Sequence, residues 1–561
     1  MKKLAALCLP TLCALAIAAP AAAHPRPLPA LAPAPHDALF RALEHGRLTE
    51  PEYALERARS LFHLRTVRRE FGDVARPNPL AATLILRDLV MRVRRLAPDE
   101  QRAAHALLSR PTDATFRDEH HYTAPRSDWR SACDASRPLC YHWVVSTPDA
   151  PPLTDASPAN GIPDTVDQTM ATFASVWDLE VVDYGFQAPL PDTTSRNDEG
   201  SSDTDIYLAD LGGDNVKLFG YCTTDDPHFI SRSSTYPYYD ASAYCVVDDD
   251  FSQAQFGTSQ TPQEFRDVTA AHEFFHAIQF HYDVAEDLWL MEGTAMVMEG
   301  QFRPDVKDRI RYLDDSTLTS PPTPVDLGAG GFEYGAWIFW RFLIEDRGEL
   351  ADPLVIRQVW EAADGSSDED GPGPDAIGPD AYSLLAVRRV LAARGLSFRQ
   401  VFAHFAWVNR VPGSFYAEGA EYPAARAAAG YALGPSRHST GWLSYRIKHL
   451  AQRYVVLKPR LTAPPDMHVR VRVDLPNLRS GPVANLLIHY VGGGLSLRPI
   501  SLDSTGRGSR VVPLGRGAVR RVDLILTNAS ARFHCWQGTN YSCAGLPVDD
   551  LRTYRFVATV L

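Results

Sequence analysis

Apolar residues follow two different spacings along this chain. Residues 36–71 and 80–108 are rich in Leu, Ala, Arg and Glu and lack internal glycine clusters, a pattern that favours amphipathic helices. After residue 436, apolar and polar residues alternate in short runs separated by Pro and Gly turns, which is typical of a β-sandwich. Between these ends, strand-like runs at residues 140–146, 205–211 and 243–248 alternate with helical segments. The patterning therefore predicts an α+β protein.

These changes in patterning divide the chain into predicted parts. They are a signal peptide (1–23), a helical N-terminal region (24–120), a catalytic domain (121–436) and a β-sandwich domain (437–561). Many arginines concentrate in the N-terminal region, as they would in an inhibitory pro-segment that covers an acidic cleft. The alternative is a permanent helical subdomain.

The first residues have the layout of an export signal. Lys2 and Lys3 precede an apolar run over residues 4–19, and Ala21 to Ala23 supply the small side chains that a signal peptidase accepts. We expect cleavage after Ala23 and therefore a secreted protein, extracellular or periplasmic. No later stretch is long and apolar enough to predict a membrane span.

The composition and net charge of the chain bear on whether it binds nucleic acid. The chain has 45% hydrophobic and 22% charged residues, which fits a folded protein. Its 56 basic and 68 acidic residues give a net charge of -12, a total that does not support a large electropositive surface. We therefore expect no nucleic-acid partner.

Six cysteines remain once the predicted leader, which contains Cys8 and Cys13, is removed. An exported protein can form disulfides. A cysteine zinc site is the alternative, but the chain has no CxxC pair. The clustering of the cysteines predicts three local bridges: Cys133 with Cys140, Cys222 with Cys245, and Cys535 with Cys543.

The strongest chemical signal lies on a predicted helix that begins at Thr261 and runs to about Tyr282. Thr261 supplies a capping hydroxyl, Pro262 occupies the first helical position, and Glu264 is able to reach back to the cap. This helix contains the sequence HEFFH.

The two histidines of HEFFH are candidate metal ligands. Residues four apart lie about 40° from each other around a helix, so His272 and His276 point into one space and can share a metal. Glu273 then lies close enough to touch a water bound there. Two solvent-facing histidines are the alternative, but Phe274 and Phe275 cover the other side and indicate a buried helix.

A third candidate ligand follows in the segment DLWLMEGTA, where Glu292 opens another helical run. This segment resembles the glutamate-containing helix of the gluzincin metallopeptidases, whose HExxH motif supplies two histidines and whose downstream glutamate is the third ligand. The resemblance implies that His272, His276 and Glu292 bind Zn²⁺ with one position open for water. It also implies that Glu273 is the general base that activates this water.

Further segments narrow the resemblance. Over most of residues 37–561 the chain is similar to a family of secreted bacterial zinc metallopeptidases of myxobacterial type. A zincin-like metallopeptidase domain is therefore the expected fold of the catalytic part. The matching segments are ALEHGRLTEPEYALERARSLF, NGIPDTV, DIYLADL, YGAWIFWRFL, FAHFAWVN and YAEGAEYP.

The chain departs from the peptidases that it resembles beside the candidate metal ligands. Thermolysin-like enzymes and the aminopeptidase branch place a carboxylate four residues beyond the third ligand to orient a histidine, but residue 296 is methionine here. Since the second nitrogen of each imidazole needs an acceptor, another acid is expected. Asp283, Asp287 and Glu299 are the candidates.

Attack of water on a peptide carbonyl produces an oxyanion, which needs a hydrogen-bond donor. In the metallopeptidases that the chain resembles, this donor is often tyrosine or histidine. Tyr334, in FEYGAW, is the candidate catalytic residue. Its register differs from the aminopeptidase pattern, which would place Phe332 there. The alternative is that Tyr334 only packs against a helix.

Acidic clusters raise the question of a second metal. Residues 198–205 and 248–250 are rich in aspartate and could supply oxygen ligands for Ca²⁺. Neither has the spacing of an EF-hand loop, and solvated surface is the alternative.

Together these features predict a secreted zinc metallopeptidase that hydrolyses protein or peptide substrates. The element by which aminopeptidases recognise a free amino terminus is absent, which favours an endopeptidase. The alternative is a surface or extracellular binding protein with a vestigial or structural zinc site. In either case the C-terminal module is a candidate for binding a surface glycan or protein.

Overall fold

The computed structural model confirms the mixed α+β class. It describes residues 31–32, 36–116, 121–193, 195, 197, 199–213, 217–226, 240–345, 350–364 and 381–561. In these residues the chain forms fourteen α-helices and four β-sheets.

The N-terminal region is helical. Thr49 and Glu52 form a capping box at the start of the second helix, which explains why it begins there. All nine residues of the fourth helix are buried, so this helix lies inside the molecule. The helices are α1 (Ala38–Glu44), α2 (Glu50–Phe62), α3 (Leu64–Phe71), α4 (Ala82–Val90) and α5 (Pro98–Leu108).

A five-stranded mixed sheet follows, with the strand order β1-β2-β3-β5-β4. Its three middle strands are parallel, whereas the two outer strands pair antiparallel to their neighbours. The sequence predicted the middle strands and missed both outer ones. The strands are β1 (Trp129–Cys133), β2 (Leu139–Val144), β3 (Thr204–Ala209), β4 (Gly220–Thr223) and β5 (Tyr244–Asp248).

Nine further helices are described after α5, the first of them between two strands of the mixed sheet, and three of the nine contribute side chains to the candidate site. The capping box predicted for Thr261 and Glu264 is present, and the helix that it starts is buried over most of its length. The helices are α6 (Asp164–Trp177), α7 (Gln253–Phe256), α8 (Pro262–Asp283), α9 (Leu288–Phe302), α10 (Phe332–Gly335), α11 (Trp337–Ile344), α12 (Leu354–Ala363), α13 (Leu384–Ala393) and α14 (Phe398–Val408).

The C-terminal part consists of strands. They are β6 (Ala429–Leu433), β7 (Leu443–Ile447), β8 (Ala451–Pro459), β9 (His468–Asp474), β10 (Pro482–Tyr490), β11 (Leu495–Pro499), β12 (Arg507–Pro513), β13 (Val519–Asn528), β14 (Phe533–His534), β15 (Leu546–Pro547) and β16 (Arg552–Val560). The first of them begins before residue 437, where the sequence placed the start of this domain.

Most of these strands belong to two sheets with the orders β11-β10-β13-β8-β6 and β12-β9-β16-β7. Alternate residues of β9 are buried and exposed, so this strand presents one face to a core and one to water. Apolar side chains from both sheets form one buried cluster, which is the packing of a β-sandwich. The hydroxyl of Tyr454 in β8 donates to the Ala406 carbonyl in α14 at 2.7 Å, so the sandwich rests on the helices.

The three predicted disulfides are confirmed. Cys133 is bonded to Cys140 and Cys222 to Cys245, and both bonds join neighbouring strands of the mixed sheet. The third bond joins Cys535 to Cys543.

The predicted leader, residues 1–23, lies outside the described residues. Within the described ranges, no helix combines the length and the apolar character that crossing a bilayer requires. The three disulfides fit the oxidising conditions outside the cytoplasm.

A buried histidine links the helical part to the C-terminal strands. His449 is 1% exposed, and its two ring nitrogens contact Asp326 at 3.0 Å and Asp550 at 3.1 Å. Burial alone lowers the pKa of His449, but the two carboxylates outweigh it and raise the pKa to about 9.

We expect this histidine to make stability depend on pH. Because the folded pKa exceeds the unfolded value of about 6.5, its contribution is complete below about pH 6.5 and is lost as the pH rises through about 9. A shift of this size corresponds to about 3 kcal/mol. Urea unfolding from pH 6 to 9.5 should show this loss, and His449→Gln should abolish it. The exposed His438→Gln is the control, and an unchanged pH profile in the His449 variant would contradict the assignment.

Candidate metal centre

Helix α8 positions both histidines of the HEFFH motif. His272 and His276 are one turn apart on its buried face, and their ring centroids are 4.8 Å apart. The helix lies in the main core against β4, α6 and α9. The geometry expected from the four-residue spacing is thus present.

Helix α9 brings Glu292 to the same point. Its Oε2 atom lies 3.2 Å from Nε2 of His272 and 3.8 Å from Nε2 of His276. Gly293 lets α9 pack tightly on α11, because a Cβ atom there would lie 2.6 Å from Nε1 of Trp340. One ligand atom from each of the three predicted residues lies within 4.8 Å of the others.

The hydrogen bonds of the imidazoles show how this group fits a cation. Nδ1 of His272 donates to Glu299 Oε1 at 2.7 Å, and Nδ1 of His276 donates to Gln279 Oε1 at 2.7 Å. When the imidazoles are neutral, both Nε2 atoms then present lone pairs towards Glu292. Within the described residues, these Nε2 atoms and both Glu292 oxygens are buried without a hydrogen-bond partner. A metal ion would satisfy them all.

The two imidazoles differ in their affinity for protons. Burial lowers the pKa of His272, but Glu292 and Glu299 outweigh it and raise the pKa well above its ordinary value. At His276 burial dominates, the nearby His272 adds to it, and the pKa is well below its ordinary value. The pocket therefore favours one positive charge beside its carboxylates.

The structure distinguishes the three acids considered as acceptors for a ligand histidine. Glu299 is the one that contacts His272. Asp287 instead accepts from the Cys543 N–H and the Tyr382 hydroxyl, and Asp283 accepts from the Ala285 N–H. Sequence reasoning missed Gln279, although its position three residues after His276 on the same helix is a usable signal.

Glu273, the predicted general base, is buried beside the histidines. Its Oε2 accepts from the hydroxyl of Thr83 in α4 at 2.8 Å. That hydroxyl also accepts from the Cys222 N–H in β4 at 3.0 Å, so it is held from two sides. Burial raises the pKa of Glu273 to about 7, while His272 and the Thr83 bond act in the opposite direction. Nothing in the sequence near residue 83 indicated this contact.

Tyr334 lies in the same buried region. It belongs to α10, is 1% exposed, and its hydroxyl has no hydrogen-bond partner among the described residues. Burial raises its pKa well above the ordinary value, and the charges of Glu292 and Glu273 raise it further. The alternative of a purely packing tyrosine leaves the unpaired hydroxyl unexplained.

A narrow cavity of about 30 Å³ reaches His272 and Glu273 from outside. Leu80, Phe219 and Tyr312 are among the residues that line it. Sequence reasoning missed these three residues, which come from three separate segments.

Glu180 is a second functional candidate that the sequence did not reveal. It lies in a π-helical turn after α6, is fully buried, and both its oxygens lack hydrogen-bond partners among the described residues. Burial raises its pKa well above the ordinary value, and His272 acts against that shift.

The candidate calcium ligands lie where β3 and β5 of the mixed sheet end. Oxygens of Asp210, Asp248 and Asp249 lie within 4.8 Å of one another, so this group could hold a cation. Asp248 is occupied by three backbone N–H groups, of Gly212, Asp250 and Phe251. Calcium here stays a prediction.

In the other acidic segment, Asp198 lies outside the described residues and Asp205 pairs with Arg110 and His142. These ion pairs give Asp205 a structural role, because they already occupy both of its oxygens.

We expect Glu299→Gln to weaken metal binding by roughly 10–100-fold, because the carboxylate that orients His272 and increases its basicity becomes a neutral amide. Competition with a chromophoric chelator for Zn²⁺ measures the change. Glu361→Gln, on the surface of α12, is the matched control. Equal affinity in the Glu299 variant and the wild type would show that this contact does not support the metal.

Comparisons with known proteins give no family. No protein-family model and no curated protein matches the chain. A mutant of PliG-Ec, a periplasmic inhibitor of g-type lysozyme from Escherichia coli, is 15% identical over 24% of this chain and 96% of its own, with a TM-score of 0.14. A GH115 4-O-methyl-α-glucuronidase, BtGH115A, with specificity for decorated arabinogalactans, is 7% identical over 68% of this chain and 54% of its own, also with a TM-score of 0.14. Similarities this low carry no argument about fold or function.

Proposed function

We propose that this chain is a secreted zinc metallopeptidase that acts as an endopeptidase. One observation carries the proposal: the unpaired Nε2 atoms of His272 and His276 and the unpaired carboxylate of Glu292 meet at one buried point. Glu273 adjoins this point in sequence and in space. The order of these residues is that of the gluzincin peptidases that the sequence resembles.

His272, His276 and Glu292 would hold the zinc ion. Two imidazole nitrogens and one carboxylate are a donor set that suits zinc. When bound, zinc polarises a carbonyl group and makes water acidic near neutral pH. The chain supplies the remaining steps.

Glu273 would move the proton. One of its oxygens is held by the Thr83 hydroxyl, which fixes the plane of the carboxylate. The carboxylate can take a proton from the attacking water and later give it to the leaving amine. Thr83 acts through Glu273 and is therefore a positioning residue.

Tyr334 would stabilise the oxyanion. Its hydroxyl is buried, has no partner among the described residues, and is influenced by the charges of Glu292 and Glu273. A preorganised donor that needs no desolvation during the reaction is effective at a developing negative charge.

We also propose that the catalytic part has a zincin-like fold. The motif helix α8 packs against β4 and β5 at the edge of the mixed sheet, and α9 supplies the third ligand. The antiparallel strand β4 forms one edge of that sheet, beside the cavity that reaches the site.

The N-terminal helices are proposed to remain in the mature enzyme. Helix α4 shares the main core with α8, and Arg87 on it donates to the Glu286 carbonyl at 2.9 Å. Arg110, which is fully buried, pairs with Asp192, Asp205 and Asp225. Removing these helices would expose this core and leave buried carboxylates unpaired, which disfavours a pro-segment.

The alternative, a binding protein with a structural or vestigial zinc site, has weaker support. A structural zinc is closed by a fourth protein ligand. The group that converges here contains three such residues among those described. A position left for water supports the enzyme.

The first test replaces Glu273 by glutamine. We expect Glu273→Gln to keep its zinc and to lose roughly 10²–10⁴-fold in casein hydrolysis, because the amide cannot accept the proton. Metal analysis and a fluorescent casein assay, with and without chelator, measure both properties. Glu361→Gln serves as the control for a glutamate lost elsewhere. Full activity in the zinc-loaded Glu273 variant would refute the mechanism.

The second test addresses Thr83. We expect Thr83→Val, which removes the hydroxyl at nearly constant volume, to lower kcat by about tenfold with unchanged zinc content. Thr83→Ser should restore it, since it keeps the donor. Urea unfolding accounts for the Cys222 N–H that loses its acceptor. If the Val and Ser variants have the same kcat, Thr83 is only a packing residue.

A further inference from the structure

A groove lined by arginines lies between the helices and the C-terminal strands, away from the metal ligands. It has a volume of about 500 Å³. Its walls come from α13, the start of α14, and the loops at residues 478–481 and 529–532. The guanidinium groups belong to Arg388, Arg389, Arg399, Arg479 and Arg532.

Five arginines make this groove rich in positive charge, and Arg389, one of the five, has an interaction partner within the chain. No aspartate or glutamate is present among its described lining residues. Arg388 and Arg479 are exposed, and their side chains have no hydrogen bond or ion pair within the described residues. Arg532 pairs with Asp549 at 3.2 Å, but its side chain is 51% exposed. Such an arrangement is unusual for a chain with a net charge of -12.

Arg399 is partly buried in the groove without a carboxylate beside it among the described residues. It donates to the Pro482 carbonyl at 2.7 Å, which is a neutral acceptor. Burial without an anionic partner lowers its pKa below the ordinary value. An anion in the groove would compensate this charge.

Several arginines elsewhere on the surface pair with carboxylates. Arg303 pairs with Asp305 at 2.7 Å, Arg137 pairs with Asp178 at 2.6 Å, and Arg507 pairs with Asp474 at 3.3 Å. The groove differs because guanidinium groups from four separate segments face one space.

The start of α14 adds further donors. Ser397 is its N-cap, lines the groove, and makes no side-chain capping bond. The first N–H groups of a helix have no partner within it and carry partial positive charge. In this eleven-residue helix they reinforce the field of the arginines.

We propose that this groove binds a compact ligand that carries two or more oxyanion groups, as sulfate or phosphate esters do. Guanidinium groups bind such oxygens in pairs, with fixed geometry. The volume suits a small molecule or a few sugar units. A long polyanion is disfavoured because the protein as a whole is negative.

This site is independent of the proposed peptidase activity. Neither its residues nor its chemistry is shared with His272, His276 or Glu292. The groove thus gives the C-terminal part a specific class of ligand.

The test is calorimetric titration of the full chain with sucrose octasulfate, tripolyphosphate and unmodified sucrose. We expect binding of one or both anions and none of sucrose. Arg388→Ala/Arg479→Ala should reduce the affinity by at least about tenfold, since each loses a charge-assisted contact. Arg470→Ala/Arg498→Ala, which removes two exposed arginines from the sandwich, should stay within about twofold of the wild type.

The outcomes distinguish the sources of the oxyanion. Binding of the sulfated sugar alone supports sulfate esters, and binding of tripolyphosphate alone supports phosphate. Failure of both anions to bind overturns the proposal. Equal loss in the two double variants also overturns it, because the attraction would then come from net charge. Casein hydrolysis should be unchanged in both variants.

Discussion

The proposed peptidase activity depends on polar atoms that face one another inside a closed core. The Nε2 atoms of His272 and His276 and the carboxylate of Glu292 point to one place, and neutral imidazoles whose Nδ1 atoms donate to Glu299 and Gln279 present only lone pairs there. Burying such atoms together costs several kcal/mol unless a cation joins them. These atoms are held together because α8 and α9 pack tightly, which leaves the two histidines and Glu292 little freedom to turn away from one another.

The sequence revealed the parts of this site that depend on local spacing. The motif helix, its capping box and the two histidines follow from residues at most four apart, and short separations along the chain also predicted the three disulfides. The outer strands β1 and β4 were missed because neither contains the run of apolar and β-branched residues that marks the middle strands. Thr83, Tyr312 and Glu180 were missed because tertiary folding brings them to the site from distant segments.

The sequence predicted separate N-terminal, catalytic and C-terminal parts, whereas in the structure these parts share contacts. The main core contains residues from α2, α4, the mixed sheet, α8 and α14, so the N-terminal helices and the catalytic part share apolar packing. His449, Tyr454 and Asp326 continue the contact into the C-terminal strands. A change in composition along the chain marks a change in the kind of secondary structure. It does not by itself mark the boundary of a hydrophobic core.

The hydrogen bond from Thr83 to Glu273 joins the N-terminal helices to the candidate site, so the site cannot be isolated from those helices unchanged. A fragment that began at residue 121 would contain His272, His276 and Glu292, yet Glu273 would lack the hydroxyl that contacts its carboxylate. Recombination that exchanged the first helices between related chains would therefore exchange a neighbour of Glu273, even though His272, His276 and Glu292 would stay in place.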